Sequence, residues 1–167
     1  MGHLTPVRAD APALEPTLDF MRLLWRIEHG LQSRSKQMEA AIGITGPQRL
    51  VLRIVDQFPG LSAGELANIV RLHPSTITGI VQRLVDKRLL ERTGDRADRR
   101  RVQLRVRPDA KPFTRRSATT IELAIARVLA RVPAAHINQT RSVLTAVARA
   151  LESGGSRGRE RPRSPLL

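Results

Sequence analysis

The chain has 167 residues, enough for one domain or for a small domain with helical extensions. It carries 29 lysines and arginines against 15 aspartates and glutamates, a net charge of +14 at pH 7. Such a basic protein attracts polyanions, with nucleic acid the first candidate and an anionic membrane surface the second. The chain has no cysteine, which excludes disulfides and thiolate metal sites. It also has no signal-peptide core and no apolar run near the roughly 18 residues of a membrane span, so we expect a soluble cytoplasmic protein.

The N-terminal part predicts one long helix behind a flexible arm. Residues 1–16, rich in proline and alanine, are interpreted as the arm. From Leu18 to about Ala41, apolar side chains recur at a spacing near 3.6 residues. This pattern predicts an amphipathic helical segment over 17–43 that ends near Gly43.

Three shorter helices are predicted next, each with its own start signal. Thr45 caps the first, and Ser62 with Glu65 forms a capping box at the start of the second. Pro74 fits the first turn of the third, which is predicted over 74–87. The positions predicted to be buried are aliphatic: Leu50, Val51, Ile54 and Val55 in the first helix; Leu66, Ile69 and Val70 in the second; Ile77, Ile80, Val81, Leu84 and Val85 in the third.

Beyond these helices the pattern changes from helix to strand. The segments "LLERT" and "RVQLRVR" predict two strands, because Val102, Leu104 and Val106 alternate with polar side chains in the second. Between them lies a charged loop, 93–101, with two aspartates and four arginines. The two strands and this loop are predicted to form a hairpin.

The C-terminal part returns to a helical pattern. One alanine-rich helix is predicted from about Asp109 to Val132, and another, after a break at Pro133, to about Leu151. Residues 153–167 have a composition typical of a disordered basic tail. The end helices carry more apolar surface than two helices beside a small domain need to bury, which favours a partner chain. The side chains concerned are Leu18, Met21, Leu24, Trp25, Ile121, Ile125, Leu129, Ile137, Leu144, Val147 and Leu151.

The helix predicted over 74–87 has a polar face suited to DNA. At about 100° per residue, Ser75, Gly79, Gln82 and Asp86 centre the side opposite the aliphatic one. Hydroxyls reach phosphates and base edges, glutamine pairs with adenine, and arginine pairs with guanine or phosphate. Glycine costs a helix interior about 1 kcal/mol relative to alanine, but it allows close approach to a groove floor. The candidate major-groove residues are Ser75, Thr76, Thr78, Gly79, Gln82 and Arg83.

The positive charge is concentrated around the same helix and the hairpin. Residues 71–107 contain eleven lysines and arginines and four acidic residues, a net charge of +7. Half of the net charge therefore lies in less than a quarter of the chain, where a DNA backbone would be contacted.

The order of the central elements is that of a winged helix-turn-helix, and the residues resemble one family. The segments "TGPQRLVLRIV" and "LSAGELANIVRLHPSTITGIVQRLVDKRLLERTGDRADRRRVQL" are similar to the multiple-antibiotic-resistance regulator (MarR) family of bacterial transcription factors. The matching motifs are Thr45 with Gln48, the run Ser75–Thr78, and Asp98 with Arg100. The close match covers roughly 45–107.

Three positions depart from the family pattern. Arg88 stands where the family often has glycine, Val106-Arg107 replaces a usual Leu-Thr, and Ala110 replaces a common glycine. We therefore expect the cap of the following helix at Asp109. These departures affect the expected turn geometry and leave the expected fold unchanged.

The resemblance implies a mainly α fold with a small β-wing, in which a winged helix-turn-helix domain (44–108) is flanked by N- and C-terminal dimerisation helices (17–43 and 109–152). It further implies a homodimeric transcriptional regulator, most often a repressor, that binds double-stranded DNA. The recognition helix would lie in the major groove and the wing in the minor groove. A two-fold dimer predicts a pseudo-palindromic operator with half-sites about 10 bp apart.

Family precedent also implies a role for the loop 93–101. An arginine at its tip would enter the minor groove while a nearby aspartate holds it, a form of shape readout. We expect Arg100 to insert and Asp98 to orient it, with Arg96 and Arg99 as phosphate contacts or substitutes. Which of the neighbouring arginines inserts stays open. The outward-facing Arg101, Arg105 and Arg107 are expected to contact phosphates.

Many members of the family release DNA when a small anionic or phenolic effector binds between the dimerisation helices and the winged domain. Candidate effector-binding residues here are Met21, Trp25 and His29, with Arg53 or Arg49 as the anion partner. The alternative is that Trp25 belongs to the core and that His29 is an ordinary surface histidine.

No pattern in the sequence indicates catalysis. The four histidines, His3, His29, His73 and His136, show neither metal-ligand spacing nor a nucleophile motif, so we expect no enzyme, metal or cofactor. His73 is expected to cap the recognition helix or to contact phosphate. Two alternatives to a sequence-specific regulator stay open: a nonspecific or architectural nucleic-acid-binding protein, and an interaction module that has lost DNA binding.

Overall fold

The computed structural model describes residues 13–94, 102–115 and 120–154. Most of this part is helical, with one two-stranded sheet, which confirms the expected mainly α fold with a small β-wing. The elements in chain order are α1 (Pro16–Ile42), α2 (Gly46–Gln57), α3 (Ala63–Val70), α4 (Pro74–Asp86), β1 (Leu90–Gly94), β2 (Val102–Val106), a 3-10 helix (Pro108–Thr114), α5 (Ile121–Leu129) and α6 (Ala134–Gly154). The described residues divide into two compact units, one up to Ile121 and one from Glu122.

The predicted start and stop signals of the first helices are confirmed. α1 ends at Gly43, which adopts a left-handed conformation with φ of 74° and donates its N–H to the Glu39 carbonyl. Thr45 forms a capping box with Gln48 at the start of α2, and α3 begins with the predicted box of Ser62 and Glu65. These caps satisfy backbone N–H groups that a helix start otherwise leaves without a partner.

The core of the first unit lies between α2, α3, α4 and the hairpin. All of the predicted buried residues of α4 lie on its inner side, although Val85 is only half-buried. The buried cluster consists of Ile44, Val51, Leu52, Val55, Leu66, Ala67, Ile77, Ile80, Val81, Leu84, Leu89, Leu90, Leu104 and Ala110.

Two predicted core positions are wrong. Leu50 is 47% exposed and Leu52 is buried in its place, because the inner face of α2 follows the spacing of Val51, Leu52 and Val55. Ile69 is also 47% exposed, and the short helix α3 buries Ala67 beside Leu66. In both helices, adjacent apolar residues lie on different faces. The hydrophobicity of a residue alone therefore does not show whether it lies on the buried face.

The hairpin is held against the core by its second strand. β1 and β2 pair antiparallel, from Leu90 opposite Val106 to Gly94 opposite Val102. Leu104 of β2 is buried, its carbonyl accepts a 3.0 Å hydrogen bond from the Gly60 N–H, and its N–H donates at 2.8 Å to the Leu61 carbonyl. The segment after α2 therefore pairs with β2 as well and sets the position of the wing.

The segment after β2 differs from the prediction. A 3-10 helix, Pro108–Thr114, occupies the place where an α-helix was expected from Asp109, and Arg107 precedes it without a side-chain cap. Pro112 lies inside it and has no N–H to donate, which disfavours an α-helical ladder there. α5 begins only at Ile121, while the predicted break at Pro133 is confirmed by the start of α6 at Ala134.

Side chains of α2 hold this 3-10 helix. The Arg49 side chain, in a residue only 1% exposed, donates hydrogen bonds to the carbonyls of Phe113 and Arg115, the latter at 2.6 Å. Arg53 donates to the Thr114 carbonyl at 2.6 Å. One turn further along α2, Asp56 forms an ion pair with Lys111, and the hydrogen bond from that ammonium lowers the pKa of Asp56.

The turn between α4 and β1 contains the arginine that replaces a family glycine. Arg88 has φ of 56°, in the left-handed region, while its N–H donates at 2.8 Å to the Val85 carbonyl. The next residue, Leu89, donates at 2.9 Å to the Leu84 carbonyl. The turn therefore keeps the geometry that favours glycine, although a residue with a Cβ occupies it.

We expect Arg88→Gly to raise the free energy of unfolding by about 1 kcal/mol, because glycine adopts this φ without a steric cost at Cβ. Arg88→Ala is the matched control, since it removes the same charge but keeps the Cβ. Urea unfolding of both variants measures the difference. An Arg88→Gly variant no more stable than Arg88→Ala would show that the turn stores no strain.

Candidate nucleic-acid interface

The helix α4 follows α3 after a tight turn and presents its polar side to solvent. The turn begins at Arg71, whose φ of 58° ends α3 in a left-handed conformation. Contacts with α2, α3 and β1 bury the aliphatic side of α4. The opposite side carries the predicted DNA-binding residues. Of these, Ser75, Thr76, Thr78, Gln82 and Arg83 are exposed and Gly79 is half-buried.

Local hydrogen bonds stabilise the first turn of α4. His73 is the N-cap, as expected, and its Nδ1 accepts from the Ser75 N–H at 3.3 Å and lies 2.7 Å from the Ser75 hydroxyl. Thr78 donates its hydroxyl proton to the Pro74 carbonyl at 2.9 Å. Thr78 can therefore offer DNA an acceptor oxygen and a methyl group, but not its hydroxyl proton, while this bond persists.

Gly79 lies in the middle of this exposed side. Apart from its chain neighbours and the nearby backbone of its own helix, a Cβ added at Gly79 would meet no described atom within 4 Å, so packing within the described part of the chain does not require glycine there. The remaining advantage of glycine is the close approach of another molecule to the helix backbone.

A hydrogen-bonded group joins α4 to the wing. The Gln82 Nε2 donates to Asp86 Oδ1 at 2.8 Å, and the Arg92 Nη1 of β1 donates to Gln82 Oε1 at 2.9 Å. In the sequence, Arg92 is marked only as one of the eleven basic residues between 71 and 107. Its pairing with Gln82 had no sequence signal, because it depends on how the hairpin packs against the helix.

The strands lead into the predicted wing tip from both sides. Arg96, Asp98, Arg99 and Arg100 lie outside the described residues, so their predicted roles stay predictions. Of the outward arginines on β2 and after it, Arg105 is exposed and donates to Gln103 Oε1 at 3.3 Å. Arg107 forms a 3.3 Å ion pair with Asp109, so a phosphate would have to compete with this carboxylate.

The predicted effector-binding residues lie on α1 and α2. Trp25 is 63% exposed and, with His29, lines a surface hollow of about 390 Å³ on α1 together with Arg22, Arg26 and Gly30. Met21 lies on α1 as well and is exposed, whereas Arg53 is held at the 3-10 helix. A second hollow, of about 490 Å³, is lined by Ala41, Ile42, Arg49, Pro112, Phe113 and Arg115.

Neither a metal-binding cluster nor a membrane-spanning helix occurs among the residues that the structure describes. Within 13–94, 102–115 and 120–154, no three histidine, aspartate or glutamate side chains lie close enough together to hold a metal ion. Among the helices of these ranges, none has the length and apolar character needed to cross a membrane.

The winged domain matches a known protein family. Residues 42–101 match the model of the MarR family, and they contain the capped helices α2 and α3, the exposed polar side of α4 and β1, the first strand of the wing. The winged domain of this chain is therefore similar to that of the MarR family. Proteins of the MarR family are DNA-binding transcriptional regulators and not enzymes, and the matched segment supports the same class, a helix-turn-helix transcriptional regulator, for this chain.

Individual MarR proteins are similar over more than the winged domain. The HTH-type transcriptional repressor Rv2887 of Mycobacterium tuberculosis (strain ATCC 25618 / H37Rv) is 28% identical over 112 residues, 67% of this chain and 81% of the repressor. A MepR-like protein, solved with pseudoligands, is 28% identical with a TM-score of 0.62 and covers 83% of this chain and 96% of its own. The PcaV regulator of Streptomyces coelicolor, solved with its natural ligand, is 26% identical with a TM-score of 0.65; the match covers 84% of this chain and 99% of PcaV.

Proposed function

We propose that this protein is a homodimeric, sequence-specific repressor whose helix α4 reads the major groove while its wing enters the minor groove. The observation that carries the proposal is the division of α4 into a buried aliphatic side and an exposed side of hydroxyl, amide and guanidinium groups. These groups match the donors and acceptors that base edges and phosphates present in a major groove.

The dimensions and charge of the winged domain support this assignment. A helix of 13 residues is roughly 20 Å long, and the major groove, about 12 Å wide, admits one helix. The net charge of +7 between residues 71 and 107 supplies the sequence-independent attraction to phosphates. Arg100, oriented by Asp98, is proposed to enter the adjacent minor groove.

Dimerisation is supported by the apolar side chains that a single chain leaves exposed. On α1 these include Leu18, Trp25 and Ile27, and on α6 they include Leu144 and Leu151. Burial of apolar surface contributes roughly 25 cal/mol per Å², so pairing of these helices with a second copy is favourable. A two-fold dimer would place two copies of α4 in successive major grooves, about 34 Å apart.

We also propose that a small anionic or phenolic effector relieves repression. Two comparisons support this proposal. The similar protein Rv2887 is a transcriptional repressor, and the similar MepR-like and PcaV proteins were solved with bound ligands. The hollow beside Arg49 has a volume typical of small-molecule sites, and a buried guanidinium lines it. The hollow lined by Trp25 and His29 is the alternative site.

We expect Gln82→Ala to change base preference at one position of each half-site by about 1–3 kcal/mol, because a base that pairs with the amide loses its partner. Binding to the preferred duplex and to its single-base variants, measured by fluorescence anisotropy, tests this. Gln57→Ala, at the exposed end of α2, is the control and should bind like the wild type. Equal base preferences in wild type and Gln82→Ala would remove Gln82 from the site.

We expect the wild-type chain to sediment with twice its monomer mass of 18.6 kDa. Trp25→Asp on α1 and Leu144→Asp on α6 should dissociate the dimer and weaken operator binding, because each places a charge in a proposed apolar interface. Ile69→Asp on α3 is the control, since Ile69 lies outside these helices and its exposure of 47% falls between the 63% of Trp25 and the 38% of Leu144. A monomeric wild type at micromolar concentration would contradict the dimer.

A further inference from the structure

The carboxamide of Gln82 is held between two opposite charges. Its Nε2 donates at 2.8 Å to the Asp86 carboxylate one helical turn away, and its Oε1 accepts at 2.9 Å from the Arg92 guanidinium of β1. All three residues are exposed, on the side of α4 that is proposed to face DNA. The contact thus connects the exposed surface of the helix with the wing.

The two charges select one orientation of the amide. If the amide were flipped, its NH₂ group would face the guanidinium and its oxygen would face the carboxylate, so both contacts would become repulsive. A charged donor and a charged acceptor also make stronger hydrogen bonds than neutral groups do. Gln82 is therefore oriented before any DNA arrives, unlike a glutamine surrounded by water.

The contacts with Asp86 and Arg92 leave the Gln82 amide with the hydrogen-bond donor and acceptor that a contact with adenine requires. A carboxamide has two N–H donors and two acceptor lone pairs on its oxygen. Asp86 uses one donor and Arg92 uses one lone pair, so one donor and one lone pair remain. A bidentate contact with adenine takes one of each, since the amide donates to N7 and accepts from the N6 amino group.

The register of the hairpin places Arg92 where it can make this contact. Side chains two residues apart on a strand share a face, so Arg92 lies on the same face of β1 as the buried Leu90. Its partner across the sheet is Leu104, which is also buried. The arginine therefore extends from the core-facing side of the hairpin toward α4, whereas Arg105, one residue along from Leu104, lies on the opposite face.

We propose that Arg92 and Asp86 are positioning residues that orient the Gln82 carboxamide and thereby select adenine at one position of each half-site. The proposal rests on the proposed function, because it requires α4 to lie in the major groove. It makes the base preference of the helix depend on a residue of the wing. Simple phosphate binding by Arg92 predicts no such dependence.

The test is selection of binding sites from a randomised duplex library by wild type, Arg92→Met, Asp86→Asn and the control Arg105→Met. The wild type should select adenine at the position where Gln82→Ala loses its preference. Arg92→Met and Asp86→Asn should both reduce that preference roughly tenfold and leave the other positions unchanged. The two variants change the net charge in opposite directions, so a shared loss of preference cannot result from charge.

Arg105→Met removes the same charge as Arg92→Met from the other face of the hairpin. This variant should weaken binding to all sequences alike and keep the base preference intact. The slope of log affinity against log salt should fall by about the amount expected for one phosphate contact. Matching thermal unfolding curves for all variants would show that the fold is kept. The inference is overturned if Arg92→Met behaves like Arg105→Met, or if the Gln82-dependent position is not adenine. Failure of the wild type to select any sequence would instead overturn the proposed function, and the inference with it.

Discussion

The burial of the aliphatic side of α4 is the interaction on which the rest of the proposed DNA interface depends. Ile77, Val81 and Leu84 are fully buried and Ile80 nearly so, in a core shared with α2, α3 and the hairpin. Full burial of one such side chain contributes about 1.5–3 kcal/mol, so the helix cannot rotate without a large loss of stability. The polar side of α4 is therefore fixed toward solvent by the same contacts that stabilise the domain.

The wing takes its position from that core as well. Leu104 is buried and its backbone pairs with the segment after α2, so β1 lies beside α4 and Arg92 reaches Gln82. The left-handed turn at Arg88 makes this close return of the chain possible. Helix and hairpin thus share one hydrogen-bonded surface, because the contact between Gln82 and Arg92 needs a side chain from each element.

The sequence predicted those features that depend on local patterns. The inner and outer sides of α4 follow from its spacing of aliphatic residues. The cap at Thr45 follows from a threonine before a helix with proline in its first turn, and the cap at Ser62 from the glutamate three residues later. Leu50 is exposed where the sequence predicts burial, because α2 has adjacent apolar residues on different faces. Pro112 disfavours the α-helix that the sequence predicts from Asp109. The burial of Arg49 and the contact between Arg92 and Gln82 depend on packing between distant segments, which a single sequence does not encode in any local pattern.

The central claim is that this surface distinguishes one DNA sequence from another. The most direct measurement is the affinity of the protein for its selected duplex and for a scrambled duplex of equal length and composition, over roughly 50–200 mM salt. The account predicts that both affinities fall as salt rises, while the selected duplex stays at least about a thousandfold tighter. A ratio below roughly tenfold would contradict it, because the binding would then come from phosphate contacts alone.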